Sequence, residues 1–248
     1  MIILKSPREI ERMRTSCRMA SEILGLLREH VKPGITTKEL EAIADSETKK
    51  RKARPAFKNY RNYPSSLCCS PNSQVVHGIP TAQPLKSGDI LSLDFGIHFN
   101  DFFGDAAITV AVGEATDETT ALINATEESL YEGIKKAVPG GRLFDISNAI
   151  QSYVENRGFS VVRDFVGHGI GRSLHEDPQV PNFGASAKGV RLKAGVVLAI
   201  EPMVNQGSYE VQVLEDGWTV VTRDGRLSAH FEHTVAITDK GPDILTLI

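Results

Sequence analysis

The sequence predicts an α+β protein made of two similar halves packed about a pseudo-twofold axis. Three observations predict it. Paired stretches of helical periodicity are each followed by strand-like segments, short segments recur in the same order, and one apolar strand in each half ends in a carboxylate. Val31-Lys32-Pro33-Gly34 answers to Val138-Pro139-Gly140, and Val75-Val76-His77-Gly78-Ile79 answers to Val166-Gly167-His168-Gly169-Ile170. The run from Leu85 to Asp94 answers to the run from Leu192 to Glu201. A period this long is not a solenoid, so we expect a single domain over residues 1–248, with halves at about 1–113 and 114–248. Such packing brings Asp94 and Glu201 toward a shared site.

In chain order, Ser6-Pro7-Arg8-Glu9 reads as a capping box with Pro at the first helical position. Ile10, Met13, Cys17, Ala20, Leu24 and Leu27 then recur at helical spacing, so a long amphipathic helix runs to about His30. Pro33-Gly34 breaks it. Thr36-Thr37-Lys38-Glu39 caps a second helix with Leu40, Ile43 and Ala44 on one face. Phe57 to Pro71, rich in aromatic residues and Pro, reads as a loop, Val75 to Ile79 as a short strand, and Leu85-Lys86-Ser87-Gly88 as a turn. Ile90 to His98 is a strand, and an Asn100-Asp101 turn returns the chain toward Asp105, which places two acids at neighbouring strand ends. Another strand, Ile108 to Val112, ends at Gly113. Asp117 to Ala137 is helical, with Leu122, Ala125, Leu130 and Ile134 facing inward. A fourth helix, Leu143 to Arg157, is closed by Gly158, and strands and loops follow Phe159.

Composition narrows the function classes. With 41% hydrophobic and 24% charged residues the chain has the balance of a globular protein that buries a sizeable core. A net charge of −3 argues against nonspecific nucleic-acid binding by the whole surface. Apolar runs are too short for a signal peptide or a membrane span, and Cys17, Cys68 and Cys69 match neither a disulfide framework nor a zinc spacing. The expectation is a soluble cytoplasmic monomer.

Asp94, Asp105, His168, Glu201 and Glu232 are the residues with chemistry to offer. Singly, each has a plain structural reading: Asp94 and Asp105 as hairpin turn residues, Glu201 as a strand-end acid, Glu232 as a surface strand residue in an alternating strand from Ala229 to Thr234. Jointly they form an oxygen-rich set with one imidazole. Four negative charges balance two divalent cations and overload one, and such a set suits Mn, Fe, Co or catalytic Zn. His77 and His175 remain as metal-free imidazoles able to hydrogen-bond a scissile carbonyl or amide. His30, His98 and His233 read as structural. Phe57, Tyr60, Tyr63, Cys68 and Trp218 are candidates for an apolar side-chain pocket.

Taken together, Asp94 and Asp105 with eleven residues counted along the chain, the Gly-His-Gly-Ile-Gly of Gly167–Gly171, Ile200-Glu201-Pro202-Met203 and Phe231-Glu232-His233-Thr234 resemble the type I methionine aminopeptidases of metallopeptidase family M24. The resemblance runs from about Ile10 to the C-terminus. It implies the duplicated pita-bread fold, a curved and mainly antiparallel sheet with outer helices. It also implies removal of the initiator methionine from nascent polypeptide N-termini whose second residue is small. By matched motif, Asp94 would chelate one divalent metal, His168 and Glu201 the other, with Asp105 and Glu232 bridging. Glu201 would shuttle the proton, His175 would touch the carbonyl oxygen and His77 the amide nitrogen. Tyr60, Tyr63, Cys68, His77 and Trp218 would bind the methionine side chain, with Phe57 at its wall. A monovalent cation, Na or K, would sit on backbone near Asn72 and Ser228, and transient ribosome association would follow from the substrate.

Leu174 and His230 depart from the family pattern, in which an aromatic and a Gln often stand. Two rivals remain: a proline-specific peptidase of the same fold, whose relatives usually carry an added N-terminal domain, and a metal-free binding module. The presence of all five ligand positions opposes the second.

Overall fold

A computed structural model describes residues 1–247. Helix α1 spans Pro7–His30 and α2 spans Thr37–Lys50, both opened by capping boxes. Ser6 Oγ accepts the Glu9 N–H at 3.3 Å while Glu9 Oε2 accepts the Ser6 N–H at 2.9 Å, and Thr36 with Glu39 repeats the exchange. Next come β1 (Arg54–Pro55), β2 (Cys68–Pro71), β3 (Gln74–Val76), β4 (Ile90–Phe99) and β5 (Phe102–Ala111). Helices α3 (Asp117–Ile134) and α4 (Leu143–Glu155) follow. The remainder is β6 (Ser160–Val161), β7 (Gly167–Gly169), β8 (Glu176–Val180), β9 (Val197–Ile200) and β10 (Met203–Asn205). It closes with β11 (Val211–Val213), β12 (Val220–Thr222), β13 (Ser228–His230), β14 (Glu232–Thr238) and β15 (Gly241–Ile244).

One curled sheet dominates, in the order β1-β4-β5-β14-β9-β7-β8, with β2 beside β4 and β15 beside β14. Its pairings are antiparallel throughout. Two smaller sheets, β13-β10-β6 and β11-β12-β3, complete the framework. Leu91, Leu93, Phe95 and Ile97 alternate along β4 and bury with Leu24 and Leu27 of α1 and Leu40 and Ala44 of α2. Leu198, Val235 and Ile237 bury with Leu122 and Leu130 of α3 and Ile146 and Ile150 of α4. Helices therefore cover the outer face, and the opposite face of the same strands is left for the site. The backbone repeats this pairing: Gly34 N–H donates to Leu85 O at 2.8 Å as Gly140 N–H does to Leu192 O at 2.9 Å. Likewise Gly88 N–H reaches Val112 O at 2.9 Å and Gly195 N–H reaches Ile237 O at 2.8 Å.

Several expected boundaries move. Cys68–Pro71 is a strand rather than loop, because it pairs with Leu91–Asp94 of β4. Strand β5 begins at Phe102 rather than Ile108, since Gly104 and Ala106 carry little hydrophobic signal yet allow α1 to lie close. A Cβ on Gly104 would collide with the backbone of Cys17. The alternating stretch Ala229–Thr234 is two strands, split at Phe231 between two sheets. Helices α3 and α4 stop short of Ala137 and Arg157 because their ends tighten into i→i+3 bonds, Ala137 N–H to Ile134 O at 2.9 Å and Arg157 N–H to Val154 O at 3.0 Å. Gly158 adopts φ +81°, as a residue closing a helix does. Among the described residues no helix is long and apolar enough to cross a membrane.

Candidate metal centre and active site

Strand register builds the site. Cys68 pairs with Asp94, Asp94 with Ala107, and Ala107 with Glu232. The β14–β9 register, which sets His233 opposite Ile200, carries that row on to Glu201. Two residues away on the same face runs a second row: Gly96 opposite Asp105, Asp105 bonded to Thr234, Thr234 opposite Ala199, and Ala199 opposite His168. Because strand side chains alternate, these two rows share one face, and the five candidate donors converge from five neighbouring segments. Small residues lie between them. At Gly96 a Cβ would stand 2.8 Å from both Ala56 Cβ and Phe57 Cε1, so only glycine leaves room beside Asp105.

This arrangement corrects the expectation that Asp94 and Asp105 stand at strand ends. Both lie within long paired strands, held by the ladder on either side. Thr234 adds to that hold, its Oγ1 accepting the Asp105 N–H at 3.2 Å and donating to Asp105 O at 2.7 Å.

The electrostatics of the cluster are unfavourable without a cation. Burial pushes Asp105 up to about 7. Burial and then the neighbouring carboxylates push Asp94, Glu201 and Glu232 well above the usual range. His168 Nε2 is 3.6 Å from Glu201 Oε1 and 4.0 Å from Asp105 Oδ2. Burial lowers that imidazole to about 4, and its Nδ1–H donates to Gly169 O at 2.8 Å, so the lone pair on Nε2 faces the acids. Asp94 Oδ1, Asp105 Oδ1 and Glu232 Oε1 are buried without a hydrogen-bond partner. Ligand atoms of Asp105, His168 and Glu232 lie within 4.8 Å of one another. Orphaned carboxylate oxygens beside a correctly presented imidazole fit a divalent cation, which would supply the missing partner charge. Burial and then Asp94 raise the Cys68 thiol well above its usual value.

Above the acids opens a cavity of about 120 Å³ lined by every expected site residue: the five donors, His77, His175, Phe57, Tyr60, Tyr63, Cys68 and Trp218. Tyr63 donates from its hydroxyl to Gly78 O at 2.9 Å and meets the edge of Trp218, ring centres 5.2 Å apart. His77 packs edge-on against Phe165 at 5.6 Å, and burial lowers it to about 4. At the rim, Tyr60 stacks on His175 at 5.2 Å, and its hydroxyl lies 2.9 Å from His175 Nδ1. His30, His98 and His233 lie outside the cavity. His233, for one, bonds Thr246 Oγ1 at 2.8 Å and Tyr131 OH at 3.2 Å. Asn72 borders a different cavity, its carbonyl accepting the Ser228 N–H at 2.9 Å.

One neighbour of the site, Arg61, carries no sequence signal for its place in it, and His230, expected beside Glu232, lies against Glu201. Arg61 lines the rim with backbone in the left-handed region, φ +48°. His230 is buried with an unpartnered Nε2 3.5 Å from Glu201 Oε2, so the departure from Gln falls directly against Glu201. Leu174, the other departure, lies in the cavity wall.

Residues 11–239 match metallopeptidase family M24. A methionine aminopeptidase of Clostridium perfringens is 58% identical, covering all of both chains. Methionine aminopeptidase 1 of Bacillus subtilis is 54% identical over the same full span. The crystal structure of methionine aminopeptidase from Rickettsia prowazekii superposes with a TM-score of 0.98 over all of both chains, at 41% identity.

Proposed function

The chain belongs to metallopeptidase family M24, and from that premise we propose how its residues remove an N-terminal methionine. The observation that carries the reading is the pair of adjacent rows described above, four acids and one imidazole on a single sheet face beneath an aromatic wall. Asp94, Asp105, His168, Glu201 and Glu232 would hold two divalent cations of Co, Mn, Fe or Zn. When bound, such cations make water nucleophilic at neutral pH and polarise the peptide carbonyl.

The protein's own groups do the rest. Glu201 takes a proton from water on its carboxylate and returns it to the departing amine. Its carboxyl is flanked by His168 and His230, at 3.6 and 3.5 Å, which limit its rotation. When the Tyr60 phenol donates to His175 Nδ1, the ring carries its hydrogen on Nε2 and presents it to the carbonyl oxygen. His77, kept neutral by burial, meets the amide nitrogen. Phe57, Tyr60, Tyr63, Cys68, His77 and Trp218 surround the methionine side chain, whose thioether gains from aromatic edges. A monovalent cation, Na or K, would rest on backbone carbonyls near Asn72 and Ser228.

We read residues 1–248 as one catalytic domain of two pseudo-symmetric halves, a monomer that meets nascent chains in the cytoplasm through transient ribosome association. The matched turns at Leu85 and Leu192 support the halves.

Incubation of the protein with Met-Ala-Ser and with Xaa-Pro peptides, plus Mn²⁺ or Co²⁺, tests the activity. Release of methionine from Met-Ala-Ser is expected. Cleavage of the Xaa-Pro peptides alone supports the proline-specific rival, and no cleavage with any metal supports a binding module. The roles separate under mutation: His77→Ala slows turnover by about 10²-fold while metal content holds. Metal loss in step with turnover would refute that division.

A further inference from the structure

Lys5 belongs to no motif and is remote in sequence from the residues assigned above. Its ammonium nevertheless lies 2.5 Å from Oε2 of Glu176, the residue that follows His175, and the two side chains are 4% and 6% exposed. The other Glu176 oxygen, Oε1, accepts the backbone N–H of Arg172 at 2.8 Å and that of Ser173 at 3.1 Å. Those bonds close the turn that carries Leu174 and His175 into the cavity. Gly171 fits the same purpose, because a Cβ there would overlap the Lys5 side chain and stand 2.8 Å from Glu176 Oε1. Lys5 is itself anchored: its backbone N–H donates to Gly195 O at 2.7 Å, and its ammonium also donates to Ile3 O at 3.2 Å.

An enclosed ion pair adds little net stability, since desolvation of both charges offsets their attraction. What this pair does supply is direction. The carboxylate has one oxygen on Lys5 and the other on the turn, so the turn cannot shift without breaking a buried charge contact.

We propose that Lys5 is a positioning residue for His175: through Glu176 it holds the 171–176 turn where the imidazole faces the scissile carbonyl. The proposal rests on the aminopeptidase reading and on the role given there to His175. Lys5 touches no substrate.

The test is a double-mutant cycle in the full chain, assayed on Met-Ala-Ser with Mn²⁺, with metal content and melting temperature measured on each variant. Lys5→Met lowers kcat by about 10- to 100-fold, the scale of an ångström-sized misplacement, with KM and metal content unchanged. Lys5→Arg recovers most of that loss. In a His175→Ala background Lys5→Met costs nothing further, because the group it positions is gone. Glu176→Gln keeps an acceptor for the turn, removes the charge, and shows the same pattern; it replaces Lys5→Met if that variant does not fold. Equal losses in both backgrounds overturn the proposal, as does a loss confined to metal content or melting temperature. A wild-type protein that releases no methionine overturns the aminopeptidase reading, and this proposal with it.

Discussion

Asp105→Asn is expected to abolish metal-dependent cleavage and, in the same protein, to raise the melting temperature when metal is chelated. The first effect follows from its place at the centre of the second row, bonded through its backbone to Thr234 and within reach of His168 and Glu232. Asp105 is a bridging donor in the proposed metal site, so with its charge lost turnover should drop on the order of a thousandfold or more. The second effect has the opposite sign because the free acid is a burden. Asp105 is held at about 7 by burial, against about 3.9 in an unfolded chain, so the folded state binds its proton more tightly. Stability from this group is therefore full below about pH 4 and is lost as pH rises through about 7. Asn has no proton to lose.

A carboxyl that titrates higher in the folded chain than in the unfolded one costs stability once both states are ionised, so the variant gains most over wild type at pH 8 and least at pH 5. The buried histidines act in the other direction: His77, His168 and His230, lowered to about 4, 4 and 3, withdraw stability as pH falls below their unfolded value near 6.5. Variant and wild type share those histidines, so the difference between them reports Asp105. Thermal melts at pH 5 and pH 8, in chelator and in Mn²⁺, measure it. Mn²⁺ should raise the wild type by binding only the folded state and leave the variant nearly unmoved. A variant that melts below wild type at pH 8 in chelator, or that keeps full metal stoichiometry, contradicts the account.

His175→Ala should cut kcat by about 10²- to 10³-fold with metal content intact, the range found when one donor to a developing oxyanion is removed. In the proposed site the ring stands beside the metal ligands rather than among them: its centre is 4.2 Å from that of His168, and its Nδ1 is engaged by Tyr60 at 2.9 Å. Because the donor matters most where charge develops, the loss belongs in kcat rather than KM. Steady-state kinetics together with metal analysis decide it. A fall in metal content matching the fall in kcat would move His175 into the ligand set.

Much of the fold was legible because it is encoded locally. Ser6-Pro7-Arg8-Glu9 and Thr36-Thr37-Lys38-Glu39 state their helix starts in four residues each, and both capping boxes form. The repeated Leu-Lys-Ser-Gly and Leu-Lys-Ala-Gly turns make matching backbone bonds. Strand β2 was not legible, since Cys68–Pro71 becomes a strand only through its neighbour β4. Nor was the early start of β5, where glycine and alanine serve helix contact rather than hydrophobic patterning.

From sequence alone came the candidate donors, four acids and one imidazole, and the starts of α1 and α2, because side-chain chemistry and N-terminal capping are properties of a few adjacent residues. Only the tertiary structure decided that Asp94, Ala107, Glu232 and Glu201 fall in one row, that His230 lies against Glu201, and that Lys5 reaches Glu176. The physical reason is that alternation along a strand sets which face a side chain takes, whereas the strand it lies beside is chosen by pairing and packing between segments far apart in the chain.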